Sequence, residues 1–134
     1  TPRWARRAFV STEHGSVASA SPNIAFIKYW GKLPATSDED RNLPCNPSLS
    51  MTLSKARTRT SVQLRSGADT GTIVLNQKAA SPADAAKVRE HLARLVSYAG
   101  APASSRFDVR SDNNFPQGTG LASSASAFAA LTVA

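Results

Sequence analysis

Residues 81–100 constrain the fold of this chain most, because they form the longest stretch with a helical period and both of its ends are marked. Ser81 followed by Pro82 is a favourable helix start, and a glycine such as Gly100 commonly ends a helix. Between these ends, six apolar side chains fall within about 100° on a 3.6-residue wheel: Ala85, Val88, Leu92, Leu95, Val96 and Ala99. We predict one amphipathic helix that packs a single stripe against a core.

Strand signals lie on both sides of this helix. Leu49, Met51 and Leu53 alternate with Ser and Thr, which predicts a strand that buries one face. Four further stretches have strand character: 17–30, 60–65, 72–75 and 106–112. The second and third of these are predicted to form a hairpin. In the last of them, Phe107 and Val109 should face inward. Strands, then a helix, then a strand is an α+β order rather than a regular βαβ alternation.

A glycine-containing loop precedes a Ser/Ala-rich helix near the end of the sequence. Gly118 and Gly120 let the backbone approach a ligand, and the following helix offers unpaired N–H groups and a charge of about +0.5 to an anion. Ser123 and Ser124 in the first turn can add hydroxyl donors or an oxygen contact to Mg²⁺. The loop lacks the Lys-Ser/Thr of a Walker A motif and the third glycine of a dinucleotide fingerprint. It is typical of a phosphate cradle, and a plain glycine turn before a tightly packed helix is the alternative.

Two lysines four residues apart follow an apolar run in the first part of the chain. Lys28 and Lys32 flank the aromatic pair Tyr29 and Trp30 and the turn residue Gly31. Both ammonium groups can converge on one anionic ligand, and the tyrosine offers a hydroxyl. The alternative is a strand end with solvated lysines and with Trp30 packed in the core.

The formal net charge of +7 lies mainly in the first half, because residues 1–65 hold ten of the 16 Lys and Arg and four of the nine Asp and Glu. Such a field favours a phosphate-rich partner, and a basic nucleic-acid-binding module is the alternative from a different class. We predict a flexible basic leader over residues 1–16 and a domain over 17–134. No apolar run approaches the roughly 20 residues of a membrane span. One cysteine and two distant histidines exclude a disulfide framework and a zinc-type spacing.

Five stretches of the sequence occur together in an order and spacing that identify a family: Pro22-Asn-Ile-Ala, Lys28-Tyr-Trp-Gly-Lys32, Asn42-Leu-Pro-Cys-Asn-Pro-Ser-Leu-Ser-Met-Thr-Leu53, Asn113-Asn-Phe-Pro and Gly120-Leu-Ala-Ser-Ser-Ala125. Together they resemble the diphosphomevalonate decarboxylase family of the GHMP kinase superfamily. The glycine loop alone marks only the superfamily, whereas the Lys-Tyr-Trp-Gly-Lys segment is specific to the decarboxylase branch. The resemblance covers residues 18–134 and implies an α+β domain of the ribosomal protein S5 domain 2-like type, with helices on one face of a mixed sheet.

The resemblance implies ATP-dependent decarboxylation of (R)-mevalonate 5-diphosphate to isopentenyl diphosphate, in the mevalonate pathway of isoprenoid biosynthesis. Phosphorylation makes the 3-hydroxyl a leaving group, and loss of phosphate then drives loss of CO2. By this resemblance Lys28 is the catalytic cation near the transferring phosphate. Five residues would contact the substrate: Tyr29, Trp30, Gly31, Lys32 and Lys87. Nine would hold the phosphates of ATP, with Ser124 also contacting Mg²⁺: Gln117, Gly118, Thr119, Gly120, Leu121, Ala122, Ser123, Ser124 and Ser126.

Other parts of the family's site are not in this sequence. The acidic residue that faces the substrate hydroxyl and the arginine for the carboxylate would lie beyond residue 134, and neither Asp108 nor Asp112 replaces them. We therefore expect a piece of a longer enzyme that completes no turnover alone. Within the same branch, a phosphomevalonate decarboxylase or a mevalonate 3-kinase would use the same visible residues. The resemblance implies a homodimer and a small phosphorylated substrate, and no signal or anchor is visible, so we expect a cytoplasmic protein without nucleic-acid or membrane partners.

Overall fold

The computed structural model of the chain describes residues 15–28, 30–36, 43–65, 71–116, 121 and 123–134. Within this part the chain has seven strands and two helices: β1 (Gly15–Ala20), β2 (Asn23–Ile27), β3 (Leu49–Thr52), β4 (Thr58–Arg65), β5 (Ile73–Leu75), β6 (Lys78–Ala79), α1 (Pro82–Tyr98), β7 (Arg106–Asn113) and α2 (Ser123–Val133). Strands precede the first helix and one strand separates the two helices, so the predicted α+β order is confirmed.

Five strands form one mixed sheet in the order β1-β4-β7-β5-β6, and β2 pairs with β3 in a separate two-stranded sheet. β7 lies at the centre of the larger sheet, antiparallel to β4 and parallel to β5. The hairpin predicted between residues 60–65 and 72–75 is therefore wrong, because β7 lies between these two strands. β5 instead turns back into β6 through Asn76 and Gln77, whose φ angles of 47° and 68° suit a tight two-residue turn.

One face of the five-stranded sheet carries the core. Val62, Val109 and Ile73 stand side by side in the register of β4, β7 and β5, and they pack against both helices. Helix residues complete the cluster: Ala85, Val88 and Leu92 of α1 and Leu131 of α2. Val109 is buried and Phe107 packs against the cluster, which confirms the predicted inward side of β7. Both helices therefore cover the same face of the sheet.

α1 begins and ends where the sequence predicts. The Ser81 hydroxyl accepts a hydrogen bond from the backbone N–H of Asp84 at 3.2 Å, and Pro82 occupies the first turn. At the other end, the N–H of Gly100 donates to the carbonyl of Ser97 at 3.1 Å. These local contacts satisfy backbone groups that a helix terminus leaves unpaired. Neither of the two described helices is long and apolar enough to cross a membrane.

The β2–β3 hairpin stands apart from this core. Its large apolar side chains are exposed: Ile24, Phe26, Ile27, Leu49 and Met51. The prediction that Leu49 and Met51 lie on a buried face is therefore wrong, because no described helix or sheet covers either face of β3. The predicted extended stretch 17–30 is divided into β1 and β2, which belong to different sheets. The buried Pro22 lies at the division, where a proline cannot donate a ladder hydrogen bond.

β1 begins earlier than the predicted domain boundary. Gly15 and Ser16, which the sequence assigned to the leader 1–16, pair with Gln63 and Val62 of β4. These pairs make the first strand an edge of the larger sheet. The remainder of the predicted leader, residues 1–14, lies outside the described residues.

Candidate functional site

A cavity of about 200 Å³ opens between α1, α2 and the central strands. Its apolar wall includes Val88, Val109, Phe128 and Leu131 of the two helices and β7. Polar side chains from several elements also line it, among them Asn76, Asp84, Lys87, Asn113, Ser123 and Ser124. An apolar cavity with a few convergent polar groups is the usual form of a small-molecule site.

The first turn of α2 faces this cavity. Ser123 and Ser124 both line it, and Ser124 is exposed. The turn contains no acidic side chain of its own, and the Asp84 carboxylate of α1, which also lines the cavity, pairs with Lys87. The arrangement suits an anion. Leu121 is half-buried just before the helix, and the other predicted loop residues, 117–120 and Ala122, lie outside the described residues.

Lys87 brings a positive charge to the same cavity from α1. Its Nζ lies 3.7 Å from Asp84 Oδ1, and both side chains are more than half exposed. Such an exposed pair contributes little to stability, so an anionic ligand can replace the carboxylate as the partner of the lysine. The structure therefore joins Lys87, predicted as a substrate contact, with Ser123 and Ser124, which were predicted to hold phosphate.

Ser126 points elsewhere. It is 2% exposed, and its hydroxyl contacts Thr58 Oγ1 at 2.7 Å and the carbonyl of Ser123 at 3.1 Å. Thr58 Oγ1 also donates to Asn113 Oδ1 at 2.7 Å. The structure thus places the Ser126 hydroxyl against the sheet, in contrast to its predicted contact with a cofactor. Sequence reasoning missed Thr58, although a threonine at an inward strand position signals a buried hydrogen bond.

The segment that follows β2 forms a second polar region, and its described members do not line the cavity. Lys28 is exposed at the end of the strand. Trp30 is 91% exposed, so the alternative interpretation that packs this ring in the core is wrong. Lys32 pairs with Pro44 in an isolated bridge between the two sides of the hairpin. Tyr29 lies outside the described residues.

Asn46 holds this segment in place. Its Oδ1 accepts from the N–H of Trp30 at 3.1 Å, and its Nδ2 donates to the carbonyl of Lys28 at 3.3 Å. A side chain added at Gly31 would place Cβ 2.9 Å from Cys45 Sγ, closer than real Cβ contacts come. A larger residue at position 31 therefore needs the exposed Cys45 side chain to move aside. Sequence reasoning gave Asn46 no role, although an asparagine in a loop commonly binds nearby backbone groups.

His91 joins the two helices beside the cavity. Its Nε2 lies 2.9 Å from Thr132 Oγ1, and its ring centroid lies 5.0 Å from that of Phe128, which lines the cavity. Burial lowers the pKa of His91 below the ordinary 6.5, and the nearby charge of Arg94 lowers it further. A neutral imidazole is therefore favoured at this contact.

Residues 20–134 match the family described as the diphosphomevalonate decarboxylase-like N-terminal domain. The chain belongs to the diphosphomevalonate decarboxylase-like family. This match confirms the resemblance predicted from the five ordered stretches. The diphosphomevalonate decarboxylase of Debaryomyces hansenii is 42% identical to this chain over an alignment of 135 positions, which covers 91% of this chain and 33% of that protein. The chain thus spans about a third of the length of this relative.

Solved structures of the diphosphomevalonate decarboxylase-like family share the fold. The crystal structure of mevalonate diphosphate decarboxylase from Staphylococcus aureus matches with a TM-score of 0.76 at 37% identity, over 88% of this chain and 34% of that one. A structure of MDDEF in complex with MVAPP, AMPPCP and magnesium matches with a TM-score of 0.73 at 37% identity, over the same shares of the two chains. The expected α+β fold of the GHMP kinase superfamily is confirmed.

Proposed function

We propose that this chain contributes a phosphate-binding part to an enzyme that uses ATP to decarboxylate (R)-mevalonate 5-diphosphate, giving isopentenyl diphosphate. The observation that carries the proposal is the cavity shared by Lys87 and the first turn of α2. A lysine, a helix N-terminus and two serine hydroxyls suit the phosphate groups that both reactants carry. The name of the Debaryomyces hansenii relative and the ligands of the MDDEF complex support this assignment.

The residues at the cavity fit the phosphates of ATP and a magnesium ion. The α2 turn offers N–H groups and carries no carboxylate of its own, and Ser123 and Ser124 add hydroxyl oxygens. No group of three His, Cys, Asp or Glu among the described residues could hold a metal. Mg²⁺ would therefore share Ser124 with phosphate oxygens, as it commonly does in phosphoryl-transfer sites. ATP supplies the phosphoryl group that activates the 3-hydroxyl, and the predicted loop residues 117–120 and Ala122 complete the cradle in this proposal.

The segment after β2 is proposed to meet the substrate. Lys28 keeps its proposed role as the cation near the transferring phosphate, with Tyr29, Trp30, Gly31 and Lys32 as substrate contacts. The exposure of Lys28 and Trp30 and the support from Asn46 favour this role, because Asn46 fixes the backbone at Lys28 and Trp30 while these two side chains stay accessible. The homodimer implied by the family resemblance and the cytoplasmic location remain part of the proposal.

Binding to the chain itself tests the phosphate site. Calorimetry should detect binding of mevalonate 5-diphosphate that weakens about tenfold in Lys87→Met, because the proposed substrate contact loses one charge-assisted interaction. Lys78→Met is the matched control, since Lys78 is an exposed lysine of β6 that does not line the cavity. Equal weakening in both variants would show that the cavity is not the site. Steeply salt-dependent binding of single-stranded RNA with no response to Mg·ATP would instead favour the nucleic-acid-binding alternative.

Product analysis on the full-length enzyme that carries this domain tests the reaction. With mevalonate 5-diphosphate, ATP and Mg²⁺, CO2 and ADP should appear in equal amounts. ADP without CO2 would assign a 3-kinase, and turnover only with the monophosphate would assign a phosphomevalonate decarboxylase. No ADP with either substrate would refute the proposed activity.

A further inference from the structure

One buried hydroxyl connects three elements beneath the cavity. Thr58, the first residue of β4, is fully buried, and its Oγ1 donates to Asn113 Oδ1 at the end of β7. The same oxygen lies 2.7 Å from the Ser126 hydroxyl in the first turn of α2. Because the Thr58 proton goes to Asn113, the Ser126 hydroxyl supplies the proton between the two oxygens. The Ser126 hydroxyl also donates to the carbonyl of Ser123 at 3.1 Å, so its one proton is shared between this carbonyl and Thr58 Oγ1.

We propose that Thr58 is a positioning residue for the phosphate-binding turn. Through Ser126 it fixes the first turn of α2 to the sheet, so that the N–H groups of the turn and the side chains of Ser123 and Ser124 stay directed into the cavity. The inference rests on the proposed function for the identity of the ligand. The anchoring itself is a property of the chain without ligand.

The start of α2 needs such an anchor for physical reasons. The first turn of any helix leaves backbone N–H groups without intrahelical partners and frays most easily. This turn has no acidic side chain that would stabilise it through the helix dipole. Among the contacts that the structure describes, Ser126 ties this turn to a buried side chain of a strand, Thr58. An ordered turn binds an anion more tightly because less conformational entropy is lost on binding.

The neighbouring inward position of β4 provides a matched comparison. Thr60 is also buried, at 1% exposure, and its Oγ1 lies 2.8 Å from the Ser111 hydroxyl of β7. Thr60 also borders the cavity, but its hydroxyl partner lies in the sheet rather than in α2. Thr58→Val and Thr60→Val thus each replace a buried hydroxyl with a methyl group. Only the first change removes an attachment of the helix.

Amide hydrogen exchange of the whole 134-residue chain tests the proposal. In Thr58→Val, the amides of residues 127–130, which donate to the carbonyls of the first turn, should exchange about tenfold faster relative to those of α1, because a buried hydrogen bond to this turn is lost. Thr60→Val should lower the melting temperature by a similar amount without this local change. Thr58→Ser, which keeps the hydroxyl, should restore the slow exchange.

Equal acceleration of the α2 turn in both valine variants, or no recovery in Thr58→Ser, would overturn the proposal. If Thr58→Val does not fold, Ser126→Ala removes the same contact from the helix side and should give the same local acceleration. Mg·ATP binding by the same variants separates this inference from the proposed function. A chain that shows the predicted exchange pattern but binds no Mg·ATP would refute the phosphate role and retain the anchor. A chain that binds Mg·ATP but shows the same exchange of the α2 turn in all variants would refute the anchor and retain the phosphate role.

Discussion

Replacing Gly71 with alanine should be among the most damaging single-methyl changes in this chain. Gly71 precedes β5 with φ at +72°, and a Cβ built there would lie 2.1 Å from the carbonyl oxygen and 2.8 Å from the carbonyl carbon of Phe107. Phe107 belongs to β7, which is paired with a strand on each side. The backbone of β7 therefore cannot move away without breaking ladder hydrogen bonds, such as the 2.8 Å bond from the N–H of Val109 to the carbonyl of Thr72.

The magnitude follows from two separable costs. A positive φ costs an L-residue about 1–2 kcal/mol, and the smaller entropy of unfolded alanine returns about 0.4–1 kcal/mol of it. The clash adds about 1–3 kcal/mol of overpacking and a lost hydrogen bond of about 1 kcal/mol. We therefore expect Gly71→Ala to lower the free energy of unfolding by about 3–4 kcal/mol. Gly100→Ala carries only the first cost, because its φ is +66° and no atom lies within 4 Å of the added Cβ.

Urea and thermal unfolding followed by circular dichroism measure both variants. At about 4 °C per kcal/mol for a chain of this size, the melting temperature should fall by about 4 °C in Gly100→Ala and by 12 °C or more in Gly71→Ala. The comparison isolates the contact with Phe107, since both glycines have positive φ. A difference in unfolding free energy below about 1 kcal/mol between the two variants would refute this explanation, because the backbone of β7 would then have moved away from the added methyl group with little loss of stability.

Three further changes have defined outcomes. Gln77→Gly should raise the melting temperature, with a gain of about 1 kcal/mol, because residue 77 has a φ of 68° in the β5–β6 turn; an unchanged or lower value would mean that the Gln77 side chain stabilises the turn. Ser81→Ala should destabilise the chain by about 1 kcal/mol in urea unfolding, since the α1 cap loses its acceptor, and Ser97→Ala, near the other end of the same helix, is the control. Because the folded state binds a proton at His91 more weakly than the unfolded state, stability should be complete above the ordinary pKa of 6.5 and decrease as the pH falls below it. Melting temperatures between about pH 5 and 8 check this. If His91 causes the effect, the melting temperature of His91→Gln should fall less steeply with decreasing pH than that of the parent chain.

The sequence predicted the elements whose ends are set by residues close to them in the chain. Ser81, Pro82 and Gly100 act on backbone groups within a few residues, and α1 begins and ends beside them. The strand predicted at residues 106–112 is also confirmed, because its alternation matches one buried and one half-buried face. Local signals could not predict which strand pairs with β5. Residues 60–65 and 72–75 are separated by a turn-like segment, yet pairing over a longer sequence distance places β7 between them.

The β3 strand shows a related limit of pattern reasoning. The alternation of Leu49 and Met51 correctly predicts a strand, but the same alternation cannot say which element covers the apolar side. In the site, Lys87 and Ser124 line one cavity because α1 and α2 pack on one face of the sheet, and the sequence suggested both residues separately. Thr58 and Asn46 were missed because their roles depend on hydrogen bonds to distant segments.

The central position of β7 has a consequence for how the domain forms during synthesis. The chain makes β1, β4, β5 and β6 first, but β4 and β5 become neighbours of a common strand only when residues 106–113 arrive. Until then each half of the sheet has an unpaired edge, and the closing contacts span long sequence distances, such as the 55 residues between Thr58 and Asn113. Long loops of this kind slow folding. A nascent chain should therefore resist proteases only after β7 has left the ribosome, in one late and cooperative step.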